Sequence, residues 1–277
     1  MVTDKRKLFP LVIFTLLIGL LLFFSASKPT RSEYKTTETP TLFIHGYKGT
    51  ERSFSTMLDR LERNHWGEKQ MVVRVSKQGD LNIKGNTSDG NPLIHVVFED
   101  NRAALSEQKK WLHTIMKTLR SDYEVENVHL VGHSMGGLAA TGYLTDERPN
   151  EPEVLKLVVL ASPFNGIQKE HYFKVNYGAA ANDLKPDSKA LQQLTKHKIK
   201  ETNVLSIAGV INPDMPYKKQ WDGLVHLKSA KGVEEMVRDT RLSSEVIEGD
   251  RATHSGLHEM HAVDRLIADF LWGPHKN

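Results

Sequence analysis

A mostly parallel β-sheet with helices on both faces is the fold class this sequence predicts, from three observations. Short apolar runs alternate with longer amphipathic ones from residue 41 onward, the rhythm of strands joined by crossover helices. The longer amphipathic runs between them supply the helices that cover both faces of such a sheet. The 277 residues are 39% apolar and 26% charged, enough to bury a large core and too balanced for a disordered or low-complexity chain.

Strands are expected at Thr41–His45, Met71–Ser76, Leu93–Phe98, Val128–Gly132, Leu155–Ala161, Val204–Gly209 and Glu245–Glu248. Leu81–Lys84, followed by Asp89-Gly90, predicts an extra hairpin at the sheet margin. The clearest helix runs from about Arg102 to Arg120, where Leu105, Trp111, Leu112, Ile115, Met116 and Leu119 recur at helical spacing. A second begins at Met135 and is expected to end near Pro149, and a last one spans about Met260 to Leu271. Residues 165–202 break the rhythm, being lysine-rich and longer than an ordinary connection. They read as a small helical cap over the strand ends.

Ahead of the globular part, Lys5-Arg6-Lys7 precedes an apolar run from Leu8 to Phe24 and the small residues Ser25-Ala26-Ser27. Residues 1–27 therefore read as a targeting element, a cleaved signal peptide or a retained membrane anchor. Cations held on the cytoplasmic side place the rest of the chain outside the membrane. Residues 28–40, rich in Thr, Ser, Lys and Glu, read as a linker, and 41–272 as the globular domain.

Composition narrows the chemistry. With no cysteine there is no disulfide, no thiolate metal site and no cysteine nucleophile, so hydroxyl, imidazole and carboxylate groups must act. The net charge is +3; Lys5, Arg6 and Lys7 against Asp4 account for two of those charges. Nothing resembles the basic stripe that nucleic acid requires. The thirteen histidines show no ligand spacing beyond the cluster His254/His258/His261, so neither a metal nor a cofactor is expected.

The strongest motif is Gly132-His133-Ser134-Met135-Gly136-Gly137. A bare G-x-S-x-G arises by chance in roughly one chain of this length in ten. Between a buried strand and a helix it means more, because the sharp turn strains the serine backbone and leaves no room for side chains at Gly132 and Gly136. Such a turn lifts the Ser134 hydroxyl above the sheet edge and sets the Met135 N–H beside it as an oxyanion donor. A second donor is expected from the loop after the first strand, where His45-Gly46-Tyr47 lets the Tyr47 N–H turn toward the same spot. His45 and His133 themselves read as packing and hydrogen-bonding residues.

A serine hydroxyl needs a base and a carboxylate to orient that base. His254, in Thr253-His254-Ser255-Gly256 before the closing helix, is the favoured base, with His258 and His261 as rivals. Asp222, in an Asp-Gly turn after Val204–Gly209, is the favoured acid, with Asp214 as rival. If the cap covers the site, Phe164, Tyr172, Phe173 and Tyr177 are candidate acyl-chain contacts.

FIHGYKGT, HLVGHSMGG, SPFNGI, WDGLV, THSGLHE and the closing FLW together resemble the bacterial α/β hydrolases known as cell-surface hydrolases of undefined physiological function, within the lipase-like superfamily. The resemblance covers about residues 40–272. It implies the α/β-hydrolase fold and a triad of Ser134, Asp222 and His254 with oxyanion donors Tyr47 and Met135. The His254 loop is also similar to the catalytic-histidine loop of minimal bacterial lipases. Met260 and His226 depart from the family pattern. The expected activity is an extracytoplasmic serine hydrolase of carboxylic esters, small or lipid. An acyltransferase using the same groups, or a binding module on the same fold, is the alternative that the sequence leaves open.

Overall fold

Thr41–Ile44 is buried at all four positions, as a strand walled in on both faces must be. This strand, β1, sits near the centre of an eight-stranded sheet. The computed structural model describes residues 34–237 and 241–273. The targeting element expected in residues 1–27 lies outside them, as does the start of the linker. Among the described residues, no helix is long and apolar enough to cross a membrane.

The chain continues through α1 (Arg52–Arg63), β2 (Glu68–Val75), β3 (Leu81–Gly85), β4 (Pro92–Phe98), α2 (Leu105–Asp122), β5 (Asn127–His133), α3 (Met135–Leu144) and β6 (Glu153–Leu160). After β6 come α4 (Glu170–Val175), α5 (Ala179–Asp183), α6 (Lys189–Thr195), β7 (Asn203–Val210), α7 (Leu227–Ala230), β8 (Leu242–Glu248) and α8 (His261–Trp272). The strand order is β3-β2-β4-β1-β5-β6-β7-β8. Every pair is parallel except the β2–β3 hairpin. Parallel pairing brings the carboxyl ends of β1, β5, β6 and β7 to one edge, where α/β sheets place their sites.

The two faces bury separate apolar clusters. On one, Leu42, Ile44, Val128 and Leu130 pack with Trp111, Leu112 and Ile115 of α2 and Leu138 of α3. On the other, Phe43 and Val131 pack with Phe54, Met57, Leu58 and Leu61 of α1 and Val263, Ile267 and Leu271 of α8. The α1 stripe follows helical spacing, yet this helix is not among those singled out above. An Arg60 fork to Asp264, at 2.5 and 2.9 Å, ties α1 to α8.

Some boundaries differ from expectation for physical reasons. The hairpin turn lies between Ser76 and Asp80, closed by the Ser76 N–H to Asp80 carbonyl bond at 2.9 Å; Asp89-Gly90 belongs instead to the connection from β3 to β4. Helix α3 stops at Leu144 rather than near Pro149, because Asp146 and Glu151 turn away to meet Lys109 and His113 on α2. Residues 165–202 fold as α4, α5 and α6, and the last two bury Ala180, Leu191 and Leu194 in the core beside α2 and α3. The stretch through α4 to Tyr177 makes side-chain contacts with the Tyr47 and Gly223 loops.

Candidate active site

Ser134 sits between β5 and α3 with φ 54° and ψ −123°, a left-handed conformation that side chains rarely adopt. Neighbouring strands hold it there. Its N–H donates to the Leu160 carbonyl at the end of β6, at 2.8 Å. A Cβ at Gly136 would stand 2.2 Å from the Ile44 carbonyl oxygen, and one at Gly132 would stand 2.5 Å from Gly137. The turn is tight because two backbones cross without side chains between them.

The structure brings Asp222, His254 and Ser134 into one line. Asp222, buried in the loop after β7, accepts from His254 Nδ1 at 2.8 Å. A carboxylate only accepts, so the neutral ring carries its proton on Nδ1, and Nε2 accepts the Ser134 hydroxyl at 3.0 Å. The other carboxylate oxygen of Asp222 takes the N–H groups of Leu224 and Val225, at 2.8 and 2.7 Å. Gly223, at φ 93°, permits that turn. The His254 N–H donates to the Asp222 carbonyl at 2.8 Å, so the two loops are also joined through their backbones.

The rival residues stand elsewhere. His258 faces Glu259 at 2.9 Å, and burial holds its pKa below the ordinary value. His261 packs at a tilt against Trp66. Asp214 lies in the loop ahead of Tyr217–Lys219 and makes no hydrogen bond to either histidine. Phe164, one candidate acyl contact, is fully buried beside Gly232. Tyr172 and Phe173 are half-buried against the core, while Tyr177 is exposed.

Met135 follows the serine, and the loop that carries Tyr47 passes close by: a Cβ at Gly46 would stand 2.8 Å from the Ser134 Cβ and 3.3 Å from the Met135 nitrogen. Neither the Tyr47 nor the Met135 N–H has an acceptor among the described residues. The Tyr47 loop is braced by His45, whose Nε2 accepts the Phe98 N–H at 3.0 Å. His45 Nδ1 therefore carries the proton and donates to the Gly46 carbonyl at 2.9 Å. Burial keeps that imidazole below its ordinary pKa and so neutral. Met135 is buried, with its sulfur 3.4 Å from Gln108 Nε2.

A strap crosses from one loop to the other. The Tyr172 ring meets Tyr47 edge-on, the Tyr47 hydroxyl donates to the Tyr177 carbonyl at 3.3 Å, and Lys48 bonds Asn176. At its other end Lys169 lies over Trp221 and donates to the Gly223 carbonyl at 3.2 Å. These side-chain ties lack any sequence signal, since each joins residues more than fifty positions apart.

A strained serine between a parallel strand and a helix, in a sheet of this order, defines an α/β hydrolase. The chain belongs to the family of alpha/beta hydrolases of unknown function (DUF915), whose model matches residues 28–274. Among solved structures it is similar to a gene product of Listeria innocua, with a TM-score of 0.69 and 26% identity over 87% of this chain and 95% of that one. It is similar in fold to a candidate cell surface hydrolase of Lactobacillus plantarum WCFS1, with a TM-score of 0.59 and 21% identity over 84% of this chain and 89% of that one. Aspergillus fumigatus lipase B shares the fold at a TM-score of 0.55 and 12% identity, over 83% of this chain and 52% of the lipase. Among curated proteins, a proline iminopeptidase of Lactobacillus acidophilus is 24% identical over 140 residues, 50% of this chain but only 42% of that enzyme.

Proposed function

We propose that this α/β hydrolase is an extracytoplasmic serine hydrolase that cleaves carboxylic esters. The observation that supports the mechanism is the unbroken path from Asp222 through both ring nitrogens of His254 to Ser134 Oγ, at 2.8 and 3.0 Å. In this reading Ser134 Oγ attacks the acyl carbonyl as its proton passes to His254 Nε2. Asp222 accepts the Nδ1–H bond, which leaves that proton on the ring, and stabilises the imidazolium. The N–H groups of Tyr47 and Met135 take the oxyanion, a contribution of about 3 kcal/mol for each well-placed donor. His254 then protonates the leaving alcohol, and water, deprotonated by the same imidazole, releases the acid and restores Ser134. The chemistry asks for no metal or cofactor.

Location outside the cytoplasm rests on Lys5-Arg6-Lys7 ahead of the apolar run Leu8–Phe24 in the sequence. The aromatic strap, in which Tyr172 meets Tyr47 on one side and Phe173 on the other, suits an acyl chain better than a peptide. The test is a fluorophosphonate probe with mass mapping of the adduct, followed by p-nitrophenyl esters from acetyl to palmitoyl. Labelling at Ser134 that vanishes in Ser134→Ala supports the proposal. An unlabelled wild-type protein that is inert toward all the esters overturns it.

A further inference from the structure

The path from Asp222 to Ser134 explains how the imidazole of His254 is oriented but not what holds its loop against the elbow. That loop joins β8 to α8, and 120 residues separate Ser134 from His254. Within it, the backbone of His254 itself is pinned on both sides. The His254 N–H donates to the Asp222 carbonyl at 2.8 Å. On the other side, the His254 carbonyl accepts from His133 Nε2 at 2.9 Å.

His133 is the residue immediately before Ser134. Its backbone shares the strained turn, and its side chain reaches the base's own peptide. A carbonyl only accepts, so His133 Nε2 must carry the proton. The ring is buried, 4.8 Å from the His254 ring and 5.0 Å from the His258 ring, centroid to centroid. Burial among other imidazoles holds its pKa far below the ordinary histidine value. A neutral ring suits this place, because a cation there would oppose the charge His254 gains when it accepts the serine proton.

We infer that His133 is a positioning residue: its Nε2–H bond to the His254 carbonyl fixes the distance between the base loop and the nucleophile elbow. This rests on the proposed roles of Ser134 and His254, and extends them to a residue that touches neither substrate nor the transferred proton. Without the bond, the His254 peptide itself keeps only its tie to Asp222, while the loop's other anchors lie at its two ends, at Gly249 to Val210 and at His258 to Arg60, and Nε2 spends less time within reach of the Ser134 hydroxyl.

The experiment compares three variants of the full chain. His133→Phe keeps a planar ring and removes the donor. His133→Gln places an amide N–H near the Nε2 position, and His133→Asn is polar but too short to reach. Each is assayed for its fluorophosphonate labelling rate, for kcat and KM on the best p-nitrophenyl ester, and for melting temperature. Loss of a buried bond predicts a fall of about tenfold in kcat and labelling rate for Phe and Asn, with KM within about twofold. Gln restores both to within about threefold of wild type.

Equal rates in all four proteins overturn the inference, as does a loss that Gln does not restore and that follows melting temperature. If Phe does not fold, the contrast between Gln and Asn still decides, since both are small amides differing in reach. Failure of the ester-hydrolase reading looks different: the wild-type protein itself then fails to label at Ser134.

Discussion

Ser134 carries backbone strain of about 1–3 kcal/mol, and the molecule offsets it with the Leu160 bond and the glycine contacts at 132 and 136. Strain kept at one hydroxyl marks a functional position better than the motif alone. Ser134→Ala is expected to abolish fluorophosphonate labelling, and circular dichroism should show an unchanged fold because the elbow depends on backbone contacts. Asp222→Asn keeps the shape of the acid but favours the wrong imidazole tautomer. We expect kcat to fall about 10³–10⁴-fold with KM little changed, measured on the same ester. At this scale Ser134 was legible in the sequence, because strand, turn and helix signals surround it within a dozen residues. The tie from His133 to His254 was not, since the motif shows a histidine beside the serine without showing what its ring reaches.

The elements meet by backbone at the elbow and by charge at the back. Gly136→Ala would drive a Cβ to 2.2 Å from the Ile44 carbonyl and 2.6 Å from that of His45. Both are backbone atoms, one at the end of β1 and one at the start of the loop that follows it, so α3 must shift. A loss of about 3 kcal/mol is expected in urea unfolding, with the Ser134 labelling rate falling in the fraction that stays folded. Behind the site, Asp264 on α8 is fully buried and meets the Arg60 fork of α1. Arg60→Met leaves that carboxylate without its cation, and about 3–5 kcal/mol of stability should go. Adding Asp264→Leu should recover most of it, which a double-mutant cycle would read. Helix α1 was open to discovery from Phe54, Met57, Leu58 and Leu61, whose spacing is helical. The Arg60–Asp264 pair was not, because charge pairing across 204 positions leaves no periodicity.

For the whole molecule, acidity acts through buried histidines. His95 and His129 are buried in strands β4 and β5, where desolvation pushes their pKa values down from 6.5 to about 4 and about 3. The unfolded chain takes up these protons near pH 6.5 and the folded chain only near pH 4 and below. Stability therefore falls as pH drops from about 6.5 toward 4, by about 1.4 kcal/mol per pH unit for each histidine. Urea midpoints at pH 7.5, 6 and 5 should decline in that order. His129→Val should flatten the decline, since valine takes up no proton in either state. A midpoint independent of pH over this range would show that neither imidazole is kept neutral by the fold.

By itself, the sequence determined the alternation of buried strands and amphipathic helices, the place of the strained serine, and a short set of histidines and aspartates competing to serve it. These features are local, because periodicity and turn chemistry act over a few residues. Only the tertiary structure decided that His254 and Asp222, rather than His258, His261 or Asp214, stand beside Ser134, and that the strap spans from Tyr47 to Trp221. Those choices depend on which strand ends share a sheet edge. Sheet order is set by the packing of two whole faces, which no stretch of chain expresses alone.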